Sequence, residues 1–349
     1  MRAFKLFALL AVLVVTACGE GPGAGSPDDG LVVYTARKEH LIKPLFDRFT
    51  AQTGIQIRYV TDAAGPLLAR LKAEGERSRA DILMTVDAGN LWQAAEAGVL
   101  QAIQSPVLEA NVPASLRDEG KRWFALSIRA RTIVYSTERV STADLSSYEA
   151  LAEPRWSGRL CPRPSKKVYN QSLIATMIAA NGEAQTEALI EKWVANLAVP
   201  PFSNDNKVVE GIAAGQCDVG IVNTYYLARM VADEPDLPVA MFWPNQQGEG
   251  AAGRGVHVNI SGAGVAAHAP NPENAVQLLR FLLRDDIQRE FARGNNEYPV
   301  VSGVAAEGPV AGRSPRREGR NRTDSGPFDL ISSSFALVDP AEELGCCRV

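Results

Sequence analysis

Three times between Leu31 and Ala97 a short apolar run gives way to a segment with helical spacing, and no other feature narrows the fold as much. Leu31–Thr35 is the first run. Leu41, Ile42, Leu45, Phe46 and Phe49 then recur at helical intervals until Gly54, a helix-ending residue. Ile55, Ile57 and Tyr59 alternate as a strand does, and residues 66–74 are amphipathic up to Gly75. Residues 80–86 and 91–97 repeat the pair. A β-α-β-α-β-α order implies a parallel, doubly wound sheet that presents its ligand edge at the strand C-termini.

Residues 123–128 and 132–136 are two further apolar segments, flanking Arg129-Ala130-Arg131, and they predict extended chain crossing into a second domain. That domain repeats the rhythm: a strand at 159–161, helices at 170–180, 187–197 and 208–214, and a strand at 217–223 running straight into a helix near Tyr225. Another strand is expected at 239–243. Residues 255–267 return as long apolar strands, and Asn271-Pro272 opens helices that continue through Ala292. The expected architecture is α/β and two-lobed, each lobe a mostly parallel sheet wrapped by helices and joined by crossing strands. Residues 31–128 with 253–300 form the first lobe and 129–252 the second. A chain of 349 residues, 46% hydrophobic, can bury a core in each.

The two ends have a different character. Leu6 to Val15 is apolar and follows Arg2 and Lys5. A bilayer span needs about 20 such residues, whereas a secretory signal needs about 7–15. Val15-Thr16-Ala17-Cys18 resembles a lipobox, in which Cys18 becomes the lipidated first residue; ordinary cleavage near Ala17 is the alternative. Residues 1–17 thus read as a signal and 18–30 as a flexible tether, giving an exported, membrane-anchored protein that meets the membrane only through lipid. Residues 301–349 carry five arginines between Arg313 and Arg322, no lysine and no convincing helix, and read as a solvated tail. The net charge of −4 excludes a dedicated nucleic-acid binder.

The remaining cysteines and the familiar motifs say less. Cys346 and Cys347 are vicinal at the C-terminus, which leaves Cys161 and Cys217 to pair in an oxidising compartment or to remain buried thiols. Gly248 to Gly253 matches GxGxxG but precedes a strand, so it reads as a flexible loop. His40, His257 and His268 are too dispersed for a metal or triad motif, and nothing supports an enzyme.

The informative pair is Tyr225-Tyr226, placed directly after the strand at 217–223. At a strand–helix junction consecutive side chains escape strand alternation and can face one ligand in the crevice. A phenolate is a hard anionic oxygen donor, suited to a small, highly charged cation such as Fe(III). Its ordinary pKa is about 10, and a bound cation favours its deprotonation.

With YTARKEHLIKPLF (34–46), ADILMTVDAGNLWQ (80–93), RARTIVYS (129–136), YNQSLIATMIAANG (169–182), GQCDVGIVNTYYLAR (215–229), GRGVHVNISGAGV (253–265) and NNEYPV (295–300), the chain resembles the periplasmic ferric-iron-binding proteins of bacterial ABC-type importers, in their multi-tyrosine branch. The resemblance implies a type II periplasmic binding protein fold, a monomer, Fe(III) as cargo and an inner-membrane permease as partner. It places tyrosine ligands at Tyr169, Tyr225 and Tyr226. Where relatives carry His and Tyr, this chain has Lys38 and Glu39: either Glu39 supplies a carboxylate ligand from the first lobe or Lys38 makes the site more favourable to an anion, with His40 a weaker candidate. A synergistic anion such as carbonate is expected on Arg37 and Arg129, with Arg131 a further candidate and Asp87 behind them. A receptor for an organic or phosphonate-type anion is the competing expectation. The resemblance runs from 31 to Val300, and relatives continue with a further helical segment where this chain has its arginine-rich tail.

Overall fold

The computed structural model describes residues 30–247 and 253–307. The signal and the tether up to residue 29, with Cys18, all of the 248–253 loop except Gly253, and the tail from 308 lie outside the described residues.

Strand β1 (Leu31–Thr35), helix α1 (Glu39–Thr53), β2 (Ile57–Thr61), α2 (Ala64–Glu74), β3 (Ile82–Thr85) and α3 (Ala88–Glu96) follow the expected alternation. In α1, Ile42, Leu45, Phe46 and Phe49 form the buried face. The helix stops at Gly54, whose φ of 77° places it in the left-handed region, where a side chain would be strained. β1 pairs in parallel with both β2 and β3. A short helix α4 (Pro106–Asn111), capped by Ser105, was not anticipated.

The two apolar segments around Arg129-Ala130-Arg131 are one uninterrupted strand, β4 (Phe124–Ser136), buried along its whole length. The elements after it are β5 (Leu160–Cys161), α5 (Val168–Asn181), α6 (Glu183–Ala195), α7 (Asp205–Ala213), β6 (Val219–Asn223), α8 (Thr224–Asp233), β7 (Val239–Phe242), β8 (His257–Val265), α9 (Pro272–Leu282) and α10 (Asp285–Asn295). The sheet order is β2-β1-β3-β8-β4-β6-β5, with β7 also paired to β4. β4 runs antiparallel to β8 through its first half and antiparallel to β6 and β7 through its second. It is therefore common to both ends of the sheet. β5 and β6 restore parallel pairing beyond it.

A large apolar core surrounds β1, β3, β8 and most of β4. A smaller one gathers Val134, Val208, Val209, Ile212, Val222, Leu227 and Val239 around β6. Cys161 and Cys217 lie in that smaller core and are joined by a disulfide, with Cα atoms 5.9 Å apart. Packing there is tight. A Cβ on Gly220 would come within 2.7 Å of the Cys161 carbonyl oxygen and 2.6 Å of Val208 Cγ1. β6 is thereby pressed between β5 and α7, which fixes where its end, Asn223, is delivered.

Val301 and Val304, expected in the tail, are buried at 7% and 2% exposure, and Glu307 pairs with Arg293 at 3.1 Å. The chain packs against the fold beyond Val300 because these apolar side chains find the core. Among the described residues no helix is long and apolar enough to cross a membrane.

Candidate functional site

Tyr225 and Tyr226 open α8 immediately after β6, and their ring centroids lie 4.4 Å apart at an interplanar angle of 36°. Tyr169 stands in the first turn of α5. Its phenol is close enough to Tyr225 and Tyr226 to perturb the ionisation of both. Burial, and then the Tyr169 and Tyr226 phenols, push the Tyr225 hydroxyl well above the usual phenol range, against the pull of Arg129. Burial likewise raises Tyr226, while its contact with Tyr225 works the other way. In the absence of a cation these hydroxyls are protonated at neutral pH.

Guanidinium groups surround the phenols. Arg129 lies 5.8 Å and Arg163 5.6 Å from the Tyr169 ring centroid, and Arg229 lies 5.2 Å from that of Tyr225. Arg129, only 3% exposed, donates through Nη2 to the Ile260 and Val86 carbonyl oxygens. Arg131 donates to Asn170 Oδ1 at 2.6 Å, Asn223 Oδ1 at 3.1 Å and Asp205 Oδ2 at 3.3 Å. Asn223 in turn donates through Nδ2 to the Tyr225 hydroxyl at 3.2 Å. Asp205, fully buried, also receives Arg163 at 3.3 Å and the Asn223 backbone N–H at 3.1 Å.

A small cavity beside Tyr169 is lined by Arg129, Arg131, Tyr169, Asn223, His257 and Asn259. His257 hydrogen-bonds Ser172 Oγ at 3.1 Å and Thr176 Oγ1 at 3.0 Å. Burial, then the Arg131, Arg254 and Arg129 charges, lower its pKa to about 3, so the ring is neutral. Asn259 bridges Ser172 Oγ at 2.8 Å and Asp87 Oδ2 at 2.7 Å. Asp87 also caps α3, accepting from the Asn90 N–H at 3.1 Å.

The candidates offered by the loop after β1 already have partners within the fold or at its surface. Arg37 is buried in a bidentate pair with Glu297, Nη1 and Nη2 each 3.1 Å from a carboxylate oxygen, and also donates to Ser261 Oγ at 2.5 Å. Both Nη atoms of Arg37, which sequence offered as an anion-binding group, are thus engaged within the fold, while its Nε is buried with no hydrogen-bond partner among the described residues. Glu39 and His40 are exposed at the start of α1, and Glu39 accepts a hydrogen bond from the Tyr59 hydroxyl at 2.8 Å. The carboxylate is thus engaged by Tyr59 of β2. Among the described residues no group of three or more His, Cys, Asp or Glu side chains could hold a metal ion.

The sequence profile of the family described as bacterial extracellular solute-binding protein matches residues 44–315. The chain belongs to that family. Iron uptake protein A1 of Synechocystis sp. is 38% identical to this solute-binding protein over 334 residues, covering 93% of this chain and 90% of that relative. A Trichodesmium structure (IdiA, FutA) in complex with iron and citrate ligands is 42% identical, with a TM-score of 0.75 over 80% of this chain and 89% of that one. The Bordetella ferric binding protein is 41% identical, with a TM-score of 0.74 over 83% and 91% of the two chains. These likenesses show the type II periplasmic binding protein fold, and the relatives are binding proteins. The family match extends to residue 315, past the point where the sequence resemblance was expected to end.

Sequence reasoning did not single out Arg163, Asn170, Asn223 or Asn259 in the site of this solute-binding protein, nor Asp205 behind it. Asn170 and Asn223 stand one and two residues from Tyr169 and Tyr225, so proximity to those tyrosines was a signal for both. Asp205 and Arg163 carry no such local signal, because they reach the site through tertiary contacts with Arg131 and Tyr169.

Proposed function

We propose that this solute-binding protein captures Fe(III) through the phenolates of Tyr169, Tyr225 and Tyr226 and delivers it to an ABC-type importer in the inner membrane. The observation that carries this reading is the meeting of the three phenols from α5 and α8, ringed by guanidiniums. Relatives named for iron uptake and ferric binding support it. Each phenol that becomes a ligand gives up its proton as iron arrives, because a trivalent cation makes the deprotonated form the stable one. The surrounding arginines offset the phenolate charge. Arg129 is the residue we assign to a synergistic anion such as carbonate, since it lines the cavity beside Tyr169 and its Nε is buried with no hydrogen-bond partner among the described residues; Arg37, whose Nε is likewise unpartnered, is the second candidate.

The same proposal takes residues 31–128 with 253–300 and residues 129–252 as the two lobes, which close over the metal by flexing β4 and β8. It takes Cys18 as a lipid anchor following a cleaved signal, and the exported protein as a monomer. Titration of the purified protein with ferric citrate should give a visible phenolate-to-iron charge-transfer band, lost or weakened in Tyr225→Phe. No band in the wild-type protein would overturn the assignment.

A further inference from the structure

Asp205 is the first residue of α7, has no exposed surface, and among the described residues is the one carboxylate that both Arg131 and Arg163 reach, each at 3.3 Å. It also accepts the backbone N–H of Asn223 at 3.1 Å. From it run three short routes to the phenols. Arg163 lies 5.6 Å from the Tyr169 ring centroid. Arg131 holds the side chain of Asn170, the residue after Tyr169, at 2.6 Å. Arg131 also holds Asn223, whose amide donates to the Tyr225 hydroxyl. We infer that Asp205 is a positioning residue for the metal site, holding Arg131, Arg163 and the end of β6 so that Tyr169 and Tyr225 are presented in one fixed arrangement. This inference rests on the Fe(III) reading above and deepens it.

The physical argument concerns charge as well as geometry. Two guanidiniums this close repel each other unless a carboxylate lies between them, and a buried charge left unpaired moves or drags its neighbours. Neutralising Asp205 therefore loosens both arginines at once, and with them the segments that bear Tyr169 and Tyr225. A residue that merely supported the fold would lower stability without altering how the phenolates meet the iron. Outer partners of metal ligands typically affect affinity by about 10–100-fold when removed.

The test compares the full-length mature protein with Asp205→Asn, titrated with ferric citrate against a competing chelator while the charge-transfer band is recorded. The expected result is a folded variant with iron affinity reduced about 10–100-fold and a band shifted in wavelength. An unchanged affinity, or a weakened affinity with an unshifted band, overturns the inference. If Asp205→Asn does not fold, Arg163→Gln decides the matter: a shifted band supports the inference and an unshifted one overturns it. No band in the wild-type protein removes the Fe(III) reading and this inference together. A wild-type band with an unaltered Asp205→Asn band removes this one alone.

Discussion

Arg37 and Glu297, 260 positions apart in the chain, close a bidentate ion pair in the interior, their side chains 2% and 6% exposed. The pair ties the loop after β1 to the segment after α10, and Ser127 of β4 donates to the same carboxylate. Burial would raise the Glu297 pKa, but the charges of Arg37 and Arg129 hold it below the ordinary glutamate range. Truncating Glu297 to Ala strands a buried guanidinium, and chemical denaturation should show a loss of about 3–5 kcal/mol. Since the folded pKa is depressed, this stabilisation is present above the unfolded glutamate value and is lost as pH falls through the folded one. A Glu297→Ala protein as stable as the parent at pH 7 would contradict the account.

Iron uptake should be strongly pH-dependent. Tyr225 and Tyr226 have raised pKa values, so at neutral pH both must release protons to become phenolates. Apparent affinity should rise with pH, by about one decade per pH unit for each proton released. Proton release measured on adding ferric citrate to weakly buffered protein gives the count directly. A pH-independent affinity between 6 and 8 would contradict phenolate ligation. For the metal-free fold the sign is reversed. A raised tyrosine pKa supplies stability below the unfolded value of about 10, which is lost as pH climbs through the folded value.

His257 gives a third test, in acid. Its folded pKa of about 3 lies below the ordinary histidine value, so between those two points the unfolded chain binds more protons than the folded one. The stability held by the neutral ring is full above about 6.5 and declines as pH falls toward 3, at about 1.4 kcal/mol per unit. Urea melts of the parent and His257→Gln at pH 7 and pH 4 should differ in slope, the variant being less acid-sensitive. Equal slopes would show that His257 already titrates normally.

The disulfide between Cys161 and Cys217 closes a loop across a sequence separation of 56. By loop-closure entropy it should stabilise the fold by about 4 kcal/mol. Denaturation midpoints of oxidised and reductant-treated protein measure this, and the Cys161→Ala, Cys217→Ala double variant should behave as the reduced form does. Coincident midpoints would mean that the cross-link contributes nothing.

How far the molecule was readable in its sequence depends on whether a signal is local. α1 was readable because its buried face repeats at helical spacing and Gly54 ends it; Tyr225-Tyr226 because a strand–helix junction is a local event. β4 was read as two pieces since Arg129 and Arg131 interrupt its apolar run, yet both arginines are buried. Their partners come from the β3–α3 junction, α5, α7, β6 and β8, and nothing in the neighbouring sequence announces them. The ion pair of Arg37 was hidden for the same reason. Beside a ligand edge a lone arginine looks free, and its partner Glu297 lies too far along the chain to be paired with it by pattern.

β4 has a mechanical consequence. Arg129 and Arg131 are two residues apart on it and so project from one face. One is gripped by the Val86 and Ile260 carbonyls, the other by Asp205 and the Ile221 carbonyl. The strand is thus a torsion bar with two handles, each held by a different end of the sheet. A relative rotation of those ends would twist the strand between the two handles, beside Tyr169, which shares a cavity with both guanidiniums.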